Sequence, residues 1–271
     1  MSNNKILEDL KSIIEKSPII YKYVSAEIAL KILLENKLKL TNPNKFNDPF
    51  DCYPGLISFS NIPPSHFEKL KKKYYRTHPE LIKKIDQRNH FNSKSELSSI
   101  YEKIAFPQLS SKIGVTCFSQ VSKDFLMWSH YAKSHSGICL GFDISKLYSS
   151  LEKVSESDRG LFKISYKKKF QTKDFFLDGS DSIFHLLKTK SKNWKYEREV
   201  RIIYTNLTLN KELERFISFG NESISEIIFG ASFEDDKNPQ LMNTISEKYD
   251  FSNKYRMKLK KNSFSLKRNV I

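Results

Sequence analysis

The stretch Trp194-Lys-Tyr-Glu-Arg-Glu-Val-Arg-Ile-Ile-Tyr204 places two carboxylates directly before a run of β-forming residues. Read as a strand, it puts Glu197 and Glu199 on the same face, because side chains two residues apart on a strand point the same way. Val200 and the residues up to Tyr204 have the composition of a strand. Buried charges are costly unless they are paired or used, so the two glutamates are our first catalytic candidates.

The same glutamates also have a purely structural interpretation. Arg198 and Arg201 stand among them, and lysines are frequent in the rest of the chain. Ion pairs at the edge of a sheet would then account for both carboxylates, and such pairs are common and contribute little to stability. The sequence leaves these two interpretations open.

The charge balance points to polyanions. The chain has 271 residues, 46 of them Lys or Arg and 31 Asp or Glu, which gives a net charge of +15. Such an excess favours nucleic acid, nucleotides or an anionic membrane surface as partners. Net charge specifies a partner only weakly, so nucleic acid is one candidate among these.

Several classes of protein are disfavoured by composition. No two of the three cysteines, Cys52, Cys117 and Cys139, have metal-ligand spacing, which argues against a zinc ribbon or a disulfide framework. No stretch approaches the roughly 18 apolar residues of a membrane span, and residues 1–16 lack the apolar centre of a signal peptide. We therefore expect a cytoplasmic protein without a metal site or a membrane partner.

The order of predicted elements indicates a single α+β domain over residues 1–271, with central mixed or antiparallel sheets and flanking helices. Predicted strands are Ile19–Val24, Lys37–Thr41, Ile113–Ser119, Gly137–Asp143, Leu161–Tyr166 and Ser225–Phe229, and predicted helices are Ala26–Asn36, Asp124–Ala132, Ser180–Lys192 and Asp236–Tyr249. Residues 64–106 are predicted to be a basic helical insertion, either the wall of a groove or an ordinary solvated face. The tail from Phe251 onward alternates like a strand or hairpin.

Two further segments contain candidate binding residues. In the loop Asn42–Gly55, Asn47, Asp48 and Asp51 have side chains that can bind a ribose, a cation or a backbone amide, although Asx turns stabilising the loop are an equal alternative. Candidates around the middle strand are Ser119 at its end and, in the next helix, Trp128, His130 and Tyr131. No Gly-x-Ser-x-Gly, Walker A or Gly-x-Gly-x-x-Gly motif is present.

Six motifs in this order resemble the bacterial domain-of-unknown-function family numbered 2971. They are Tyr21-Lys-Tyr-Val-Ser25, Lys45-Phe-Asn-Asp-Pro-Phe-Asp51, Thr116-Cys-Phe-Ser119, Met127-Trp-Ser-His-Tyr-Ala132, Gly137-Ile-Cys-Leu-Gly-Phe142 and Trp194-Lys-Tyr-Glu-Arg-Glu-Val-Arg201. The resemblance covers about residues 19–230. It implies no activity, because none is established for that family.

The segment Ala29–Leu38 and the late glutamates also resemble the ADP-ribosyltransferase fold, especially its DNA-modifying branch. That resemblance implies that Tyr21 or Lys22 on the first strand, Ser119 on the middle strand and Glu199 on the late strand contact NAD, with Glu197 completing a Glu-x-Glu pair. A carboxylate near the ribose can stabilise the oxocarbenium-like transition state, and a second can deprotonate the acceptor. Basic side chains such as Arg201 can hold the pyrophosphate.

The leading hypothesis is therefore an enzyme that consumes NAD as co-substrate, an ADP-ribosyltransferase or NAD glycohydrolase in bacterial defence or acting as a toxin, with nucleic acid as a candidate acceptor. One alternative is a nucleic-acid-binding module without catalysis, which the net charge favours. Another is a metal-dependent nuclease that uses Asp48, Asp51, Glu197 and Glu199. The sequence makes no prediction about the oligomeric state.

Overall fold

The computed structural model describes residues 11–15, 17–66, 110–155, 157–211 and 214–271, together with residues 69, 72, 79, 80, 102, 103, 106 and 107. Most of the predicted helical insertion at residues 64–106, including most of its lysines, lies outside the described residues.

The described chain alternates short strands and helices. The strands are β1 (Ile19–Val24), β2 (Lys37–Thr41), β3 (Ile57–Ser58), β4 (Gly114–Ser119), β5 (Ile138–Asp143), β6 (Arg159–Lys163), β7 (Ser165–Lys167), β8 (Lys173–Asp174), β9 (Thr189–Ser191), β10 (Glu199–Tyr204), β11 (Glu214–Ser218), β12 (Ile224–Phe229), β13 (Asn253–Leu259) and β14 (Leu266–Val270). The helices are α1 (Ala26–Glu35), α2 (Phe125–Tyr131), α3 (Ile144–Ser150), α4 (Phe175–Asp178), α5 (Ser180–Lys188) and α6 (Pro239–Lys248). Short 3-10 helices cover Pro43–Lys45, Pro54–Leu56, Lys192–Glu197 and Asn221–Ser223.

A mixed, mostly antiparallel sheet organises these elements. Its main path runs β11-β2-β4-β1-β5-β12-β13-β14, and β10 lies between β4 and β6 beside that path. The pairing of β12 with β13 is parallel, whereas β1, β5 and β10 pair antiparallel with their neighbours. The α+β prediction is confirmed, and the tail forms the predicted hairpin from β13 and β14.

The sheet splits along one side of β4. At one end of this strand Ser119 pairs with Tyr21 of β1, and at the other end Val115 pairs with Thr41 of β2. The opposite side of β4 is paired with β10 along its whole length, from Glu199↔Ser119 to Tyr204↔Gly114. The backbone between Val115 and Ser119 therefore has one open side, within the sheet rather than at its edge.

Helix α1 shows how local sequence fixes the boundary of this split. Ser25 caps its first turn by accepting a hydrogen bond from the backbone N–H of Ile28, as its position before the helix predicts. The spacing of Ile28, Ile32 and Leu33 in the sequence predicts that all three point inward, and Ala29, Ile32 and Leu33 are indeed buried, but Ile28 is 43% exposed. The prediction for Ile28 is wrong because the buried stripe is centred on Ala29, so Ile28 is turned outward.

Two predicted elements near the late glutamates also need correction. The predicted helix Ser180–Lys192 ends at Lys188, and Thr189–Ser191 forms β9, which pairs in parallel with β7. The segment Trp194–Tyr204 is not one strand, because Lys192–Glu197 is a 3-10 helix and the strand begins at Glu199. The change of conformation occurs at Arg198, whose φ of 44° and ψ of 49° are left-handed.

The two faces of the sheet bury different cores. One face carries the largest apolar cluster, to which Ile20, Leu140, Phe142 and Ile202 contribute. The other face has two smaller clusters. One joins Val115 of β4 and Ile203 of β10 to residues 52–59 and helix α5, and the other includes Trp128 and Cys139. Among the described residues, no helix combines the length and apolar character needed to cross a membrane.

Candidate functional site: an acidic cavity at the split in the sheet

A cavity of about 200 Å³ opens where β1 and β4 diverge. Its walls come from β1, β4, β10, α2, β9 and the loop that follows β2. The lining residues are Tyr21, Lys22, Tyr23, Phe46, Asn47, Asp51, Cys117, Phe118, Ser119, Met127, Tyr131, Lys190, Glu197 and Glu199. Both glutamates that the sequence singled out therefore face one cavity, together with hydroxyl, aromatic and basic groups.

Arg201 holds two of the cavity carboxylates from behind. Its Nε donates to Glu199 Oε1 at 2.6 Å, and its Nη2 donates to the two oxygens of Asp51 at 2.8 and 2.6 Å. Its Nη1 donates to the carbonyl oxygen of Leu187 at 3.0 Å. Arg201 is completely buried, so these bonds replace all contact of the guanidinium with water.

The ammonium group of Lys190 lies where three carboxylates converge. Its Nζ is 2.6 Å from Glu197 Oε2, 2.9 Å from Glu199 Oε2 and 3.2 Å from Asp51 Oδ2. All four side chains are buried. With Arg201, the cluster contains three acidic and two basic groups, which we call the ion cluster: Asp51, Lys190, Glu197, Glu199 and Arg201.

The two glutamates of the ion cluster have opposite pKa shifts. Burial raises the pKa of Glu197, and the charge of Lys190 and the hydrogen bond from Tyr131 offset this only in part. Burial also acts to raise the pKa of Glu199, but Arg201 and Lys190 overcome it and lower that pKa to about 2. Glu199 is therefore ionised throughout the neutral range, whereas Glu197 is the carboxylate that takes up a proton more readily.

Backbone geometry rather than strand alternation brings the glutamates together. The left-handed conformation of Arg198 reverses the chain between them, and its carbonyl oxygen accepts from the N–H of Gln120 at 3.1 Å. Ser119 donates its hydroxyl to the carbonyl oxygen of Glu197 at 2.6 Å, and the N–H of Glu199 donates to the phenol oxygen of Tyr166 at 2.7 Å. Ser119 therefore positions Glu197 through its backbone.

Tyr131 is the second side-chain partner of the Glu197 carboxylate, after Lys190. Its hydroxyl donates to Glu197 Oε1 at 2.6 Å, so the two carboxylate oxygens have different partners, Tyr131 and Lys190. Burial and the carboxylate raise the pKa of Tyr131, which keeps the phenol protonated as a donor. On the far wall Tyr21 donates to Glu226 at 3.2 Å, and burial raises the pKa of Tyr21 to about 12.

Lys22 occupies the open side of β4. Its Nζ donates to Thr116 Oγ1 at 2.9 Å and to the carbonyl oxygen of Cys117 at 3.0 Å. Cys117 lies in the part of β4 between the residue that pairs with β1 and the residue that pairs with β2. Burial lowers the pKa of Lys22. The side chain lines the acidic cavity on one side and a second, larger depression on the other.

We call this larger depression the basic groove, and its volume is about 770 Å³. It shares Lys22, Phe46, Asn47 and Cys117 with the acidic cavity. Five lysines line it against one acidic residue, Glu35; they are Lys22, Lys31, Lys37, Lys39 and Lys45. Exposed apolar side chains, Ile28 and Phe216, form part of its wall. The two depressions thus form one continuous site with an acidic inner part and a basic outer part.

The predicted site residues divide into two groups. The cavity walls include Glu197, Glu199, Tyr21, Lys22, Asn47, Ser119 and Tyr131. Four predicted residues do not line it. Trp128 is buried with its indole N–H bonded to the carbonyl oxygen of Ser122, and Arg201 lies behind Glu199. His130 is exposed beside Tyr196, and Asp48 faces a different depression.

Lys190 and Asp51 are the residues that sequence reasoning undervalued. Lys190 falls within the predicted helix Ser180–Lys192, and only the β-branched Thr189 before it indicates a strand. The sequence predicts Asp51 to be a loop residue, and its pairing with Arg201, 150 positions away, has no local signal. Within the described part of the chain, no group of three His, Cys, Asp or Glu residues is arranged to hold a metal. The ammonium of Lys190 instead neutralises the carboxylates, so this geometry does not favour the metal-dependent nuclease.

The pKa of Glu199 predicts a specific acid sensitivity. A carboxylate whose folded pKa is about 2 rather than 4.5 stabilises the native state above its unfolded pKa, and that contribution is lost as pH falls toward about 2. Glu199→Gln should lower the free energy of unfolding at neutral pH by roughly 3–5 kcal/mol. In this variant the free energy of unfolding should also fall less steeply than in the wild type as pH drops below 4.5. Urea unfolding at a series of pH values measures this, with exposed Glu247→Gln as control. Equal pH dependence of wild type and Glu199→Gln would contradict the assignment.

Comparison with known proteins gives one match to a family model, over part of the chain. The model of the family described as protein of unknown function (DUF2971) matches residues 127–202, which run from helix α2 to strand β10 and include Tyr131, Lys190, Glu197, Glu199 and Arg201. No curated protein and no solved structure matches the chain. Over this segment, which contains most of the ion cluster, the chain is similar to the DUF2971 family.

Proposed function

We propose that this protein is an enzyme that cleaves the N-glycosidic bond of a nucleotide, with NAD as the substrate, and passes the ADP-ribosyl group to water or to an acceptor. The observation that supports this most strongly is the ionised carboxylate of Glu199 in the wall of the cavity. Arg201 and Lys190 hold this carboxylate and lower its pKa to about 2. A fixed negative charge there can stabilise a transition state that develops positive charge on the sugar.

The shape of the site suits a dinucleotide better than a small neutral sugar. The cavity of about 200 Å³ has room for the reacting nicotinamide riboside end, and the adjoining basic groove of about 770 Å³ has room for the remainder. Lysine ammonium groups in the groove can hold a pyrophosphate. Lys22 stands at the junction, where a phosphate next to the reacting ribose would lie.

The different pKa shifts of the two glutamates support different roles for them in the proposed reaction. Ionised Glu199 stabilises the cationic sugar as the bond from its anomeric carbon to the nicotinamide nitrogen breaks, and neutral nicotinamide leaves with the electron pair. Glu197, with its raised pKa, accepts the proton of the incoming water or acceptor as the new bond to the anomeric carbon forms. Arg201 and Lys190 keep both carboxylates in place.

Replacement of Glu197 is the most direct test. Glu197→Gln keeps the shape of the side chain but removes the base, so nicotinamide release from NAD should fall by roughly 100-fold or more while the protein stays folded. Chromatography of the reaction mixture measures nicotinamide, and near-ultraviolet circular dichroism checks folding. Exposed Glu247→Gln is the matched control and should keep wild-type activity. Full activity in folded Glu197→Gln, or no release of nicotinamide by wild type, would show the proposal to be wrong.

Removal of the Tyr131 hydroxyl should shift the pH dependence of the reaction. The hydrogen bond from Tyr131 lowers the pKa of Glu197, so Tyr131→Phe raises that pKa further. Because the base must be ionised, the rising limb of the pH–rate profile should move to higher pH. In Tyr148→Phe, which loses a hydroxyl bonded to the carbonyl oxygen of Arg159, the limb should stay in place. A limb that stays fixed or moves to lower pH in Tyr131→Phe would contradict the role of Glu197.

Nucleic acid as acceptor and a role in bacterial defence or toxicity remain predictions from the sequence. The basic groove is compatible with a nucleic acid partner, since its lysines would attract any phosphate-bearing molecule. The same net charge would also support a binding module without catalysis. The ion cluster favours the enzyme, because a binding surface has no need for three buried carboxylates in its cavity.

A further inference from the structure

A third depression adjoins the acidic cavity at Lys190. It has a volume of about 380 Å³ and shares Lys190 with the acidic cavity. Three aromatic side chains line it, Phe50, Phe170 and Trp194, and we call it the aromatic pocket. Phe50 is 65% exposed and Phe170 is 47% exposed, so much of these rings is in contact with solvent.

Contacts among the rings fix the walls of this pocket. Tyr53 stands between the two phenylalanines, with ring centroids 6.0 Å from Phe50 and 5.8 Å from Phe170. On the other side Trp194 lies over the Nζ of Lys190 at 5.4 Å and packs beside Tyr196 at 5.9 Å. Exposed aromatic rings held by their neighbours present flat apolar faces, on which another planar ring can stack.

Charged and polar groups at the same pocket point to an anionic ligand. Lys167 and Lys168 line it, and the ammonium group of neither has a hydrogen bond or an ion pair with the described residues. Lys190 contributes no free charge, because its ammonium is held by the ion cluster. Asn193 provides an amide, and Asp48, which accepts from the N–H of Phe50 at 2.9 Å, is the one carboxylate among the lining residues. Two lysines against one acid leave a net positive charge.

We propose that the aromatic pocket is a second nucleotide site, which binds a base against Phe170 and Trp194 and a phosphate at Lys167 and Lys168. Asn193 and Asp48 offer an amide and a carboxylate to the edge of the base, groups that commonly pair with base donors and acceptors. The binding itself does not depend on the proposed reaction. The role of the bound nucleotide as acceptor does rest on the proposed function, since Lys190 separates this pocket from the acidic cavity.

Intrinsic fluorescence provides the test. The chain has two tryptophans, and Trp128 is buried, so a ligand that stacks in the aromatic pocket should quench Trp194. The probes are adenosine monophosphate and a short single-stranded oligodeoxyadenylate, which separate a free nucleotide from a strand. Saturable quenching by either one supports the site, and tighter binding of the strand identifies nucleic acid as the source. Pyrophosphate, which lacks a base, should cause no such quenching.

Variants locate the binding. Phe170→Ala should weaken it roughly fivefold or more, because stacking on one aromatic ring has about this value. Lys168→Ala should weaken it and reduce its dependence on salt. Phe264→Ala and Lys261→Ala, which change exposed residues outside the pocket, are the matched controls and should bind as wild type. No quenching by either nucleotide, equal quenching by pyrophosphate, or full binding by Phe170→Ala would overturn the proposal.

One further variant separates this proposal from the proposed function. Glu197→Gln changes the acidic cavity but no residue that lines the aromatic pocket. The nucleotide probes should therefore quench the fluorescence of this variant as they quench that of the wild type, although the variant no longer releases nicotinamide. If the nucleotide probes quench the wild-type protein but it releases no nicotinamide, the proposed reaction is contradicted and the nucleotide site is supported. Nicotinamide release without quenching would remove the nucleotide site alone.

Discussion

The bonds of Lys190 and Arg201 to three carboxylates connect parts of the chain that are far apart in sequence. They join the loop that contains Asp51, the short strand β9 and the start of β10. Burying these charges costs several kcal/mol for each ion unless partners are placed well, and removal of one partner leaves an uncompensated charge. The walls of the acidic cavity are therefore held by the same interactions that give it its charge, and the cavity cannot lose the ion cluster without losing its shape.

The split in the sheet lies beside this cluster, at the cavity that three of its carboxylates line. The strands β1 and β4 meet at Tyr21 and Ser119 and then diverge, and Lys22 occupies the gap. The acidic cavity shares Lys22, Phe46, Asn47 and Cys117 with the basic groove and Lys190 with the aromatic pocket, so the three depressions adjoin one another through the cavity. This arrangement is the structural basis for the proposed reaction on a nucleotide.

The sequence predicted most of the strands, and it predicted that Tyr21, Ser119, Glu197 and Glu199 lie at one site. It did not predict the backbone conformation or the ion pairs that hold the two glutamates in place. Strand periodicity is local, so β1, β4, β5 and most of β10 were recognised from short segments. The left-handed Arg198 was not, because no glycine or asparagine marks the reversal. Long-range ion pairs leave no trace in a local pattern. Lys190 and Asp51 therefore became important only when folding brought them to Arg201.

The central claim is that the ion cluster gives its two glutamates different affinities for a proton. A carbon-13 NMR titration of side-chain carboxyl groups measures both directly, with Glu197→Gln and Glu199→Gln assigning the signals. We expect Glu199 to titrate at about pH 2 and Glu197 above the ordinary value of 4.5. Two glutamates that titrate together at the ordinary value, or a Glu199 that binds its proton more tightly than Glu197, would contradict the account.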